Sequence, residues 1–136
     1  MFQQSSVSLA EAQRIIEAGI KRADGIGQPQ NIAVVDAGGN LVAHARMDGA
    51  WIGSVDVAIN KAFTARAFDI STRDLGANAQ PGEQFYGIQQ SNSGRIMVFA
   101  GGLPLKSGDQ VVGAVGVSGG TGEQDQQVVE AAVAAL

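Results

Sequence analysis

Apolar residues recur along the chain at two different periods, and each change of period marks an element. Leu9, Ala12, Ile15, Ile16, Gly19, Ile20 and Ala23 fall on one stripe at helical spacing, which predicts a helix from about Ser8 to Asp24. Ser8 and Glu11 stand at capping-box spacing, and Gly25 and Gly27 end the helix. Asn31 to Asp36 and Leu41 to Met47 then read as strands joined by Ala37-Gly38-Gly39-Asn40, whose glycines supply the positive φ of a tight hairpin. A second helix follows over about Ser54 to Phe68, with Val55, Ala58, Ile59, Ala62 and Phe63 on its apolar face. Ser71 to Gln90 is less periodic, with a short helical turn opening at Ser71 or Thr72 and a Pro81-Gly82 turn. Arg95 to Ala100, Leu103 to Lys106 and Gln110 to Ser118 read as strands, separated by Gly101-Gly102 and by Ser107-Gly108-Asp109. A closing helix runs from about Gly122 to Leu136 behind a second capping box, Thr121 with Gln124, and Glu123 and Asp125 complement its dipole.

Hairpins between successive strands make the sheet mainly antiparallel, so the class is α+β with five strands. In the last strand Val111, Val112, Ala114, Val115 and Val117 leave no polar face before Ser118. Such a strand must be covered on both sides, by helices or by another subunit, and a homo-oligomer is expected.

At 136 residues the chain is expected to form a single domain, 1–136. The absence of cysteine removes disulfides, thiolate metal sites and cysteine nucleophiles. A net charge of −4 argues against nucleic acid as a partner. No apolar run is long enough for a membrane span, and Met1 to Ser6 has neither the basic nor the apolar region of a secretory signal. A cytoplasmic protein is the expectation. The 19 glycines cluster at turns and in one strand, which points to tight connections and close backbone approaches.

Candidate chemistry gathers after the first hairpin. His44, the only histidine, sits on the opposite strand face from Leu41, Ala43, Ala45 and Met47. It can ligate an iron or move a proton near neutral pH, and the plainer reading is a strand histidine satisfied by a backbone carbonyl. Arg46-Met47-Asp48-Gly49-Ala50 brings a guanidinium to the start of the second helix, an arrangement suited to a carboxylate or propionate, or to an Arg46–Asp48 pair that fixes the turn. Lys61, with Thr64 and Arg66, is placed on the polar side of the second helix, where it either meets an anion or is simply solvated. Trp51 is a stacking platform for a planar ligand or an anchor in a core or interface. Ser118-Gly119-Gly120-Thr121-Gly122 matches neither phosphate-binding glycine motif, and Glu123 and Asp125 would repel an anion there.

The stretches Asp36-Ala37-Gly38-Gly39-Asn40-Leu41-Val42-Ala43, Arg46 to Ala50, Lys61-Ala62-Phe63-Thr64-Ala65, Gly101-Gly102-Leu103-Pro104 and Gly113 to Gly120 occur in the order, and over nearly the length, of one known family. The chain resembles the GlcG/HbpS-type haem-binding family, which also includes the C-terminal domain of PduO-type proteins. That resemblance implies an α-β-α layered, profilin-like domain with a five-stranded sheet, assembling from dimers to octamers. It also implies haem as a possible cofactor, with His44 foremost among the strong axial ligands ahead of Met47, Met97 and Tyr86. Three functions follow as expectations. The first is an oligomer that binds haem or a small anionic ligand, with His44 on the iron and Arg46, Trp51 and Lys61 around the ligand. The second is a small organic-acid isomerase or lyase, with Arg46 clamping the carboxylate and His44 or Asp48 transferring the proton. The third is an accessory structural oligomer.

Overall fold

The computed structural model describes residues 1–136. Its elements are α1 (Leu9–Ile26), β1 (Asn31–Asp36), β2 (Leu41–Arg46), α2 (Gly53–Phe68), α3 (Thr72–Ala77), two single 3₁₀ turns, β3 (Gly102–Ser107), β4 (Gln110–Ser118) and α4 (Gly122–Val133). Both capping boxes form, at Ser8 with Glu11 and at Thr121 with Gln124. The four strands make one antiparallel sheet in the order β2-β1-β4-β3.

The sheet has four strands, where the hydrophobic pattern predicted five. Arg95 to Ala100 forms no ladder. Its backbone is held by helices instead: Met97 N–H donates to Thr64 Oγ1 at 3.0 Å, and the Val98 carbonyl lies directly against Gly76 of α3. An apolar run of five residues, Ile96 to Ala100, satisfies a helix surface as readily as a strand position, and here the helices took it.

Helices cover both faces. On one, α1 and α4 bury Ala12, Ile15, Ile16, Val128, Val129 and Ala132 against Ile32, Val34, Val115 and Val117. Gly19 is the contact point, since a methyl there would stand 2.7 Å from Ile32 Cδ1. On the other face α2 lays Ala58, Ala62 and Ala65 on Ala33, Val35 and Ala114. The approach is closer still, because the Ala58 carbonyl fills the space a side chain at Gly116 would need. At Gly116 only a hydrogen fits between these layers, and around it the contacts are mostly methyl groups. This turns α2 away from its predicted face: Val55, Ile59 and Phe63 are half-buried flanks, while Ser54, Lys61 and Thr64 go inside with the alanines.

β4 lies between β1 and β3, and residues 112–118 are all buried. Its two apolar faces are therefore covered within one chain, and they do not by themselves require another subunit.

Lys61 is fully buried, contrary to its expected place on a solvated helix face. Its Nζ donates to Asp125 Oδ2 at 2.9 Å and to the Val117 carbonyl at 2.8 Å, and it lies 4.7 Å from the Phe99 ring centroid. Asp125 Oδ1 in turn accepts from Gly120 N–H at 2.9 Å. Burial pushes the Lys61 pKa below its ordinary value, and the Asp125 carboxylate opposes that push. Removing one partner strands the other charge in the interior. Asp125→Ala is expected to cost about 3–5 kcal/mol in urea unfolding, whereas replacing both residues with apolar ones of similar volume should cost much less. Equal losses for the single and double variants would show that the charge pair is not what holds this junction.

Candidate functional site

β2 ends at Arg46, and residues 47–52 lead straight into α2, so the strand end and the helix start share one corner. Asn31 organises it. This residue opens β1, is completely buried, and faces α2 in register with Ala33 and Val35. Its Nδ2 donates to the Trp51 carbonyl at 2.9 Å, and its Oδ1 lies 3.1 Å from His44 Nε2. A carbonyl partner at Trp51 fixes which end of the amide is which. Oδ1 must then accept, so His44 carries its proton on Nε2 and leaves the Nδ1 lone pair free. Orientation of an imidazole through its second nitrogen is the usual support of a metal-ligating histidine.

His44 is part-buried, and its pKa is pushed below the usual 6.5, first by burial and then by the Arg46 charge. A neutral ring at physiological pH follows, which is the form that can ligate a metal or accept a proton.

Arg46 and Asp48 are exposed and make no ion pair, with each other or with any other residue. The Arg46–Asp48 turn lock considered from the sequence does not form. Both residues line an open cleft of about 560 Å³ between β2 and the C-terminal end of α1, together with Ala23, Asp24, Gln28 and Met47. His44 does not line this cleft; it borders a second, smaller one of about 400 Å³ with Ile16, Glu17, Ala43 and Ala45. Trp51 is exposed at the corner. Arg46 and Asp48 thus share one cleft, His44 borders another and is tied to the Trp51 backbone only through Asn31, and Lys61 lies apart in the interior. No group of three or more histidine, aspartate and glutamate side chains is placed to hold a metal ion.

A family model described as "Haem degrading protein HbpS-like" matches residues 7–134. The chain belongs to this HbpS-like family. A 15.0 kDa protein from the dhaT–dhaS intergenic region of Citrobacter freundii is 42% identical over 129 residues, covering 95% of this chain and 91% of the relative. The corrinoid adenosyltransferase PduO of the same organism is 35% identical over 131 residues, which are 96% of this chain and only 39% of that protein. Among solved structures, Klebsiella pneumoniae protein ORFY superposes with a TM-score of 0.97 at 41% identity, covering 99% of this chain and 93% of that one. The PduOC:heme complex superposes with a TM-score of 0.92 at 32% identity, covering 96% and 95%. No helix of this HbpS-like chain is long and apolar enough to cross a membrane.

The sequence reading missed Asn31 and Asp125. Asn31 had a visible signal: an amide opening an otherwise apolar strand, Ile32 to Val35, is a polar group that must find partners inside. Asp125 had none, because its place in the first turn of α4 already explained it as a dipole complement. Gln30 was also passed over, and its fully buried amide has no hydrogen-bond partner on either atom.

Because His44 is the sole histidine, its ring protons are unambiguous in an NMR titration. The midpoint is expected below 6.5, and Asn31→Asp, which puts a carboxylate beside Nε2, is expected to raise it. Linkage fixes the sign for stability: a pKa lower in the folded than in the unfolded state gives stability present above the unfolded pKa and lost as pH falls through the folded one. Unfolding free energy should therefore drop on acidification below about 6.5, and less so in His44→Gln. A midpoint at or above 6.5 in the native protein would contradict this description of the corner.

Proposed function

We propose that the protein binds haem, or a comparably flat anionic ligand, at the β2–α2 corner, as a homo-oligomer of the HbpS type. The observation that carries this reading is the likeness, over nearly the whole chain, to a domain crystallised with haem. The donor set at the corner fits the group. His44 is held neutral with Nδ1 free and becomes the iron ligand. Arg46, without a counter-ion, meets a propionate through charge-assisted hydrogen bonds. Trp51 offers an exposed indole face for stacking on the macrocycle. Lys61 has no part in this reading, since its charge is already spent on Asp125.

The organic-acid enzyme remains as a second reading on one observation: Arg46 and Asp48 line the same cleft, a cation and a carboxylate on one small substrate's scale. His44 borders a different cleft, so Asp48 would carry the proton transfer there.

Titration of the purified protein with haemin is expected to give a saturable, stoichiometric Soret shift that is lost in His44→Ala and weakened in Arg46→Ala. An equal shift in His44→Ala would overturn the iron assignment. No shift in the native protein would overturn haem binding altogether, and binding of small carboxylates competing at Arg46 would then favour the enzyme.

A further inference from the structure

Three permanent charges line the cleft between β2 and the end of α1, and no two of them form an ion pair. They are Asp24 from the last turns of α1, and Arg46 and Asp48 from the strand end. The backbone around them is already fixed. Gly27, in the left-handed region at φ 69°, closes α1 by donating its N–H to the Ala23 and Asp24 carbonyls. On the opposite wall Ala50 N–H donates to the Met47 carbonyl at 3.0 Å, a tight turn that Gly49 permits at φ 83° and that carries Asp48. Met47 N–H donates to the Gln30 carbonyl at 3.0 Å and its Sδ accepts from Gln30 N–H at 3.4 Å, which ties down the strand end bearing Arg46. Gln28, a polar neighbour in the same cleft, spends its amide on the Gly119 carbonyl at 2.9 Å. The charges therefore stand in a preformed cleft and are free to meet a ligand.

Their balance is uneven, and it selects the ligand. Two carboxylates share the cleft with one guanidinium. The C-terminal end of α1 adds the negative pole of its dipole, and the last turn holds no basic residue to offset it. A simple carboxylate would satisfy Arg46 while bringing a third negative charge beside Asp24 and Asp48. A simple amine would satisfy the two acids and leave Arg46 without a partner. A molecule that carries both an ammonium and a carboxylate answers all three charges at once. Ile20, Ala23 and Met47 supply apolar wall for a short aliphatic chain.

We infer that this cleft binds a small amino acid as its zwitterion, with the carboxylate on Arg46 and the ammonium on Asp24 and Asp48. The inference names the substrate class of the second reading above and rests on the cleft of that reading. It involves neither His44 nor haem.

Its test uses the full chain without haemin. The ligands are 2-aminobutyrate and 4-aminobutyrate, which differ in the spacing of ammonium and carboxylate, with butyrate and butylamine as the two halves. Amide shifts of the ¹⁵N-labelled protein report both affinity and place. At least one amino acid is expected to give saturable shifts centred on residues 24–28 and 46–49, with a Kd at least about tenfold below that of either half, the size of one charge-assisted contact. Asp24→Asn should weaken the amino acid and strengthen butyrate, because it removes a negative charge that opposes the carboxylate. Arg46→Gln should weaken the amino acid and strengthen butylamine. Asp109→Asn makes the same charge change at the opposite end of the sheet and should alter neither. Asp24, Arg46 and Asp109 are all exposed, so the variants keep the fold. Absence of saturable shifts with both amino acids would overturn the inference and the organic-acid reading together if butyrate also fails to bind. Butyrate binding as tightly as the amino acids would overturn the inference alone and leave that reading standing. Butylamine binding as tightly, or an Asp24→Asn variant that loses both ligands in equal measure, would overturn it as well.

Discussion

One buried charge pair ties the two sides of this molecule together. Lys61 comes from α2 on one face of the sheet and Asp125 from α4 on the other, and they meet past the end of β4 at the Val117 carbonyl. The pair also fixes what surrounds it. Gly101 is glycine in part because a side chain would stand 2.7 Å from Lys61 Nζ, and the turn into α4 is pinned because Asp125 also accepts from Gly120 N–H. A buried ion pair is weak as net stabilisation and strong as specification, since any other docking of α2 or α4 leaves a charge unpaired in the interior.

The same closeness explains the layer between α2 and the sheet. With the Ala58 carbonyl against Gly116, no side chain fits at that point, and α2 meets the sheet there mainly through its alanines. The bulky residues of α2, Val55, Ile59 and Phe63, are displaced to its flanks, where Arg95 stacks 3.5 Å above the Phe63 ring centroid. α2 therefore sits over β1 and β4 and leaves the side of β2 that carries His44 largely uncovered. A histidine held in order by Asn31, yet not sealed under a helix, is the consequence for function.

Much of this was legible in the chain. The helical stripe of α1, the two capping boxes and the Gly-Gly hairpin stated their elements directly, because each depends on local chemistry that sequence spacing records. The family, too, was carried by motifs in order. The face of α2 was not legible, because helical periodicity ranks residues by hydrophobicity, whereas the structure buried the small alanines together with a lysine whose partner, Asp125, lies far away in the chain. Arg95 to Ala100 was misread for a related reason: an apolar run shows that a segment is buried, not whether it pairs with a strand or packs on a helix. At the corner, His44, Arg46, Asp48 and Trp51 were visible by type and proximity, and the buried partners that fix His44 and Lys61 needed three dimensions.

The central claim is that a single oriented, neutral imidazole meets iron at the β2–α2 corner. With one histidine in the chain, uniform ¹⁵N labelling of histidine is a label at one site. Pulsed electron paramagnetic resonance of the ferric haem complex tests the claim most directly. The account predicts a ¹⁵N hyperfine coupling of a directly bound imidazole nitrogen. A bound haem whose spectrum is indifferent to the label would contradict it.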